Sequence, residues 1–149
     1  MPLRSERTDL KQWAREHMVG VENCTFPSFT QDMAALDEEA IRHDVRQAIA
    51  HGFFSTMCST ETGLSFEEAK RFVEIVADEG KGRISVSTAI LFDTMEQNRE
   101  FLVHAEAAGC DTALLGYAPS YYPTSEEQIE QVTREMCELT GLGIVLYPS

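Results

Sequence analysis

The feature that most constrains this chain is a unit of one strand and one helix that recurs about every 30 residues, the spacing of parallel strands joined by helical crossovers. Short β-branched or aromatic runs begin near Val21 (VENCTF), Phe53 (FFSTMC), Ile84 (ISVSTAI), Ala113 (ALLGY) and Ile144 (IVLY), at spacings of 32, 31, 29 and 31 residues. Amphipathic stretches fill the gaps. Ile41, Val45 and Ile49 fall at i, i+4, i+8, and Ala69, Val73 and Ala77 do the same. Ile129, Val132, Met136 and Leu139 form a third stripe; Met95, Leu102 and Ala105 form a looser one. Such spacing gathers apolar side chains on one helix face.

The punctuation between elements agrees with the periodicity. Ser65-Phe66-Glu67-Glu68 predicts a capping box, and Asp93 and Thr124, each with a Glu three residues on (Glu96, Glu127), predict the next two helix starts. Gly52, Gly80, Gly109 and Gly141 are expected to close the helices. A polar leader from Glu6 to His17 reads as a further helix, with Trp13 docking it to a neighbour. The 149 residues form one domain: a helical leader over 1–19, then the repeating unit over 20–149.

Strand–helix alternation of this kind builds a parallel sheet, and two architectures fit it. One is a five-stranded doubly wound sheet. The other is the first half of a (βα)8 TIM barrel, with five parallel strands, four intervening helices and the leader; a whole barrel needs about 250 residues. Periodicity alone leaves both open. Both place chemistry at the C-terminal ends of the strands.

Composition narrows the partners. Hydrophobic residues make up 43% and charged residues 25%, a globular balance. With 12 Lys and Arg against 25 Asp and Glu the formal charge is −13, which argues against nucleic acid and anionic membrane, since both need positive charge on the protein. The apolar runs are too short to span a bilayer, and Met1–Arg7 lacks the apolar core of a signal peptide, so the cytoplasm is the expected compartment. Cys24, Cys58, Cys110 and Cys137 show no CxxC and no Cys-His pair at ligand spacing; they read as small buried thiols, and no metal site or cofactor is expected. His17, His43, His51 and His104 lie in or near helices without a partner pattern and read as structural or solvated.

The expected strand ends are rich in hydroxyls and poor in charge: Phe26-Pro27-Ser28-Phe29, Cys58-Ser59-Thr60-Glu61-Thr62-Gly63, Ser87-Thr88, Tyr117-Ala118-Pro119-Ser120-Tyr121-Tyr122-Pro123 and Tyr147-Pro148-Ser149. No GxGxxG or Walker loop follows a strand, and no Asp cluster of a phosphoacceptor domain is present. Hydroxyls around a pocket suit a small carboxylate or carbonyl compound.

In order along the chain, these strand ends resemble the dihydrodipicolinate synthase / N-acetylneuraminate lyase family, (βα)8-barrel aldolases and lyases that work through a Schiff base. The resemblance runs from about Thr25 to Tyr147. It rests on Phe26-Pro27-Ser28-Phe29, Leu36-Asp37-Glu38-Glu39-Ala40, Cys58-Ser59-Thr60-Glu61-Thr62, Leu64-Ser65-Phe66-Glu67-Glu68-Ala69, Ala105-Glu106-Ala107-Ala108-Gly109-Cys110-Asp111, Pro119-Ser120-Tyr121-Tyr122-Pro123-Thr124-Ser125-Glu126-Glu127 and Leu146-Tyr147. It implies that Ser59 and Thr60 bind the carboxylate of a 2-oxo acid, usually pyruvate, that Tyr147 relays protons, and that Tyr121 assists it. The family's Schiff-base Lys closes strand six, beyond Ser149; Lys11, Lys70 and Lys81 stand in the leader, a helix and a helix–strand turn.

Three departures accompany the matches. The strand-two loop is about two residues short and has Cys58 where the family has Gly, Pro148 stands for an Asn, and Ser120 replaces a Tyr. Plainer roles for the same residues stay open: Ser59 and Thr60 as turn closers, Tyr147 as a strand aromatic, Tyr121 and Tyr122 as packing residues, Glu61 as a solvated carboxylate. The expected molecule is half of a pyruvate-type aldolase or lyase, inactive by itself, whose apolar inner face and strand edges draw it into a homo-oligomer or onto a complementing half-barrel. The alternatives are a non-catalytic doubly wound binding domain for a small ligand or protein, or a barrel enzyme with altered chemistry.

Overall fold

The computed structural model of the chain describes residues 10–147. Each stripe in the sequence becomes an element: α1 (Leu10–His17), β1 (Glu22–Thr25), α2 (Glu38–Ala50), β2 (Ser55–Cys58), α3 (Phe66–Gly80), β3 (Ser85–Ile90), α4 (Met95–Ala108), β4 (Thr112–Leu115), α5 (Glu126–Glu138) and β5 (Gly143–Leu146). All strand pairs are parallel, and the spatial order is β1-β2-β3-β4-β5.

That order decides between the two architectures. A doubly wound sheet reverses its direction of travel partway and carries helices on both faces. Here each strand lies beside the one before it, and right-handed crossovers then put every helix on the same side. The doubly wound alternative is therefore set aside: the chain forms five consecutive strands of a (βα)8 barrel, open on its inner face.

Side chains alternate between the two faces along each strand. Thr56, Cys58, Val86, Ile90, Ala113 and Leu115 face the helices and are buried, most of them against Ile41, Val45, Phe72, Val73, Val76, Phe101 and Leu102. Burying each of the larger side chains stabilises the fold by about 1.5–3 kcal/mol. Phe66, Phe92 and Phe101 close the end of this layer, with Phe92 and Phe101 centroids 4.5 Å apart.

The opposite face departs from expectation. It is mixed rather than apolar throughout: Met57, Ala89, Leu114 and Val145 lie on it by register, while nearer the strand starts Ser55 and Ser87 both donate to Glu22 Oε1 (2.8 and 2.6 Å) and Ser85 donates to Asp111 Oδ2. The register explains this, because Glu22 lies opposite Ser55 and so projects to the same side as the serines of β2 and β3. Serine hydroxyls bonded to a carboxylate need no apolar cover. Exposed apolar side chains flank both edges of the sheet: Val19 and Val21, each 66% exposed, beside β1, and Val145, Leu146 and Tyr147 at β5.

Helix starts follow the hydroxyl that reaches an N–H three residues on. Asp37 caps α2, and Ser65 with Glu68 forms the expected capping box of α3. For α4 and α5 the cap moves one residue, to Thr94 (accepting from Gln97 N) and Ser125 (accepting from Gln128 N), in place of Asp93 and Thr124. Gly109 closes α4 in the left-handed conformation as expected. Gly80 does not play that part: it is the buried last residue of α3, and its missing side chain makes room for Val86 and Ile84.

Cys58 and Cys110 are buried, but Cys24 and Cys137 are exposed, correcting the expectation of four buried thiols. Cys24 lies on the inner face of an edge strand, and Cys137 lies on α5, whose one buried residue is Met136. The leader helix begins at Leu10, so the expected residues 6–9 fall outside the described part, as does Pro148. Trp13 is 7% exposed, and Trp13, Ala14 and Met18 line a cavity with Thr112, Leu142 and Val145 beneath the starts of β4 and β5. No helix among the described residues is long and apolar enough to cross a membrane.

Candidate functional site

Ser59 and Thr60 follow β2 directly. Ser59 N–H donates to Thr25 O at 3.1 Å, extending the β1–β2 ladder, and its Oγ lies 2.8 Å from Cys24 Sγ. Thr60 Oγ1 donates to Ala89 O (2.7 Å), and its N–H donates to Cys58 O (3.1 Å). Both residues are buried, at 0% and 3% exposure. Thr62 Oγ1 donates back to Ser59 O, and the loop leaves through Gly63 at φ +85°. Every hydrogen-bonding group of Ser59 and Thr60 that could meet a carboxylate thus has an internal partner. The start of the loop is tied to β1 and β3. Glu61 is exposed.

The tyrosines gather at the ends of β4 and β5. Tyr117, Pro119, Tyr121, Ile129, Leu146 and Tyr147 belong to the lining of a cavity of about 450 Å³. The Tyr117 and Tyr121 rings stack with centroids 5.6 Å apart, Tyr121 Oη donates to Gln128 O (2.9 Å), and Tyr117 Oη bonds Thr133 Oγ1. Tyr147 N–H donates to Leu115 O at 3.0 Å, so the β4–β5 ladder runs one residue beyond Leu146. Being two residues past Val145 in that ladder, Tyr147 falls on the inner face. Tyr122 points away, at 84% exposure.

Two of the four site residues predicted from the sequence, Tyr121 and Tyr147, therefore share one cavity. Ser59 and Thr60 sit at β2 and do not line it. Sequence reasoning passed over Tyr117 and Cys24. The position of Tyr117 two residues beyond the end of a strand was a signal for the first. Cys24 gave none, because its partner Ser59 depends on strand register.

Of the charged groups, Lys70 bonds Glu100 (2.6 Å) and Glu67 (3.2 Å) on the outer helices. Those carboxylates, Glu100 foremost, hold its ammonium above the ordinary lysine range. His104 Nε2 lies 3.5 Å from Glu74, also on the helix side. Among the described residues, no three His, Cys, Asp or Glu side chains converge at metal-binding distance.

A singly wound parallel sheet, helices on one side and a tyrosine-lined cavity at the C-terminal strand ends, defines the class: half of a (βα)8 barrel of the kind that carries its site on that rim. The sequence makes the assignment finer. The model of the Dihydrodipicolinate synthetase family matches residues 20–149, and the chain belongs to that family.

Among curated relatives, the chain is 28% identical over 132 residues to the 4-hydroxy-tetrahydrodipicolinate synthase of Methanopyrus kandleri, covering 86% of this chain and 44% of that protein. It is 31% identical over 117 residues to the N-acetylneuraminate lyase of Citrobacter koseri, covering 75% and 39%. Among solved structures it is similar in fold to a prophage protein of the dihydrodipicolinic acid synthase family from E. coli K12 in complex with pyruvate, with a TM-score of 0.76, 20% identity, and coverage of 86% and 44%. The chain spans less than half the length of these relatives.

Proposed function

We propose that this chain supplies the N-terminal half of a class I aldolase or lyase that forms or cleaves a C–C bond in pyruvate or a related 2-oxo acid. Ser59 and Thr60 hold the substrate carboxylate, and Tyr147, assisted by Tyr121, relays protons at the reacting carbons. The observation that carries this reading is the meeting of Tyr121 and Tyr147 in one cavity at the C-terminal rim. The pyruvate in the related E. coli prophage protein supports the substrate class.

The nucleophile comes from outside the 149 residues. A Schiff-base lysine must lose its proton to attack a ketone, which requires a lowered pKa. Lys70 has the opposite environment, held protonated by Glu100 and Glu67 on the outer surface. Lys11 lies in α1 beside the starts of β4 and β5, and Lys81 lies in the turn into β3, both at the opposite end of the strands from the cavity. The nucleophile then belongs to the segment that completes the barrel, in the same cytoplasmic polypeptide or a complementing one.

Borohydride trapping tests this. After incubation with pyruvate and reduction, the 149-residue chain is expected at its own mass of 16.7 kDa. The protein isolated from its native source is expected at about twice that mass with a reduced pyruvate adduct. An adduct on the 149-residue chain overturns the assignment of the lysine, and a native protein of any length that takes no adduct overturns the aldolase reading.

One observation favours a second reading, a barrel that keeps the scaffold and changes its chemistry. The groups of Ser59 and Thr60 are already bonded to Cys24 and Thr25 of β1, Cys58 of β2 and Ala89 of β3. On that reading pyruvate does not bind at all, which ligand-observed NMR distinguishes.

A further inference from the structure

Glu22 is the one charged side chain within the five described strands, and it projects onto the inner face. Its Oε1 accepts from Ser55 and Ser87, which are 1% and 4% exposed, while Oε2 has no partner among the described residues. The cations of the helix layer are committed elsewhere: Arg42, Arg46, Arg71 and Arg83 pair with carboxylates of α2 and α3, and Lys70 with Glu67 and Glu100. The Glu22–Ser87 contact joins alternate strands, as in the layers of a (βα)8 barrel, where four inward side chains from alternate strands fill each layer. Along the ladder Glu22 lies level with Ser55 and Ser85, so reaching Ser87 is a step of two residues over two strands. The same step from Ser87, whose ladder runs through Thr112 to Gly143, arrives at Val145. Three of the four places are therefore a carboxylate, a hydroxyl and an aliphatic side chain. Ser87 and Val145 are each the third residue of their strand, which sets the layer inside the barrel and not at its rim.

We propose that the fourth place, on strand seven of the completed barrel, is held by an arginine or lysine that pairs with Glu22 Oε2. The inference rests on the reading above that a further segment completes the barrel, which the 44% of the Methanopyrus kandleri relative covered by this chain supports. Closing the barrel withdraws Glu22 from water, and an ion so buried must be paired or lose its charge. The two serines satisfy one oxygen, and Val145 offers nothing to the other. In the ring of four, strand seven is the second neighbour of β1, so it meets Glu22 from the side that Ser87 does not occupy. A second copy of this chain closing the barrel would bring another Glu22 to the same interior and a further formal charge of −13 to the assembly. Charge therefore favours a basic segment as the occupant of this face.

The test sets the protein from its native source beside the 149-residue chain. Peptide sequencing of the native protein, or of the chain that complements this one, reads the inward residues of strand seven, where an Arg or Lys is expected at the level of Glu22. Glu22→Gln keeps an acceptor for both serines and removes the charge. In the completed barrel it is expected to lower the urea midpoint by about 1 M, the loss of one partner of a buried pair. In the 149-residue chain, where Glu22 is exposed, the midpoint is expected to stay unchanged. Exchanging the basic residue for Met in the Glu22→Gln protein is expected to recover most of the lost midpoint, because neither charge is then left buried alone. A strand seven without an inward Arg or Lys, or a Glu22→Gln shift no larger in the completed barrel than in the 149-residue chain, overturns the pair and leaves the completed barrel standing. A native protein of 16.7 kDa with no complementing chain overturns the completed barrel and the pair with it.

Discussion

Gly80 shows how closely single residues are fitted in this layer. A Cβ there would lie 2.8 Å from Val86 Cγ2 and 3.2 Å from Ile84 Cγ2. Both neighbours are β-branched, with little rotamer freedom to give way. Gly80→Ala is expected to lower stability by about 1–3 kcal/mol, the usual cost of overpacking, as a lower urea midpoint at unchanged slope. The sequence marked Gly80 as a helix stop, because a glycine at the end of an apolar stripe looks the same whether it turns the chain or makes room. The site residues divide in a similar way. Ser59 and Tyr147 were legible because each follows a strand whose run of apolar residues announces its end. The partners of Ser59 were not, since Cys24 is 35 residues away and reaches it only through the β1–β2 register.

Between elements, the outer surface of α2 and α3 is laced by ion pairs. Arg42 meets Asp78 and Glu79, Arg46 meets Glu39 and Glu79, and Arg71 meets Glu38. Glu79 is the hub, with 14% of its side chain exposed. Arg83, then Arg42, hold its carboxyl below the usual carboxylate range. A depressed folded-state pKa stabilises the fold above the unfolded value of about 4.3, and that contribution is lost as pH falls through the lower folded-state value. Glu79→Gln is therefore expected to cost about 0.5–1 kcal/mol near pH 7 and little or nothing in acid below the folded-state value. Urea midpoints of both proteins at the two pH values check this; a deficit that persists undiminished in acid would contradict it. These helices were readable from their 3.6-residue periodicity and their caps. The one-residue shift of the caps to Thr94 and Ser125 was not, because adjacent residues in each pair, Asp93-Thr94 and Thr124-Ser125, are all good cappers and tertiary packing chose between them.

At the scale of the whole molecule, β1 and β5 each have one side unpaired among the described residues, and the inner face between them holds the exposed Glu22 bonded to the buried Ser55 and Ser87. Unpaired strand edges recruit partners. Light scattering of the 149-residue chain is expected to give a mass above 16.7 kDa, and a monodisperse monomer would show that the edges are silent in solution. The sequence by itself determined the five strand–helix units, their parallel pairing and the rim on which hydroxyls and tyrosines collect. Those follow from local periodicity and from the length a parallel crossover needs. Only the tertiary structure decided that the strands run in sequential order rather than doubly wound, that Glu22 gathers the serines of β2 and β3 on the inner face, and that Tyr121 and Tyr147 share a cavity while Ser59 is held by Cys24. Strand order and register are set by contacts between residues some 30 positions apart, and no local spacing in the chain encodes which neighbour each strand will take.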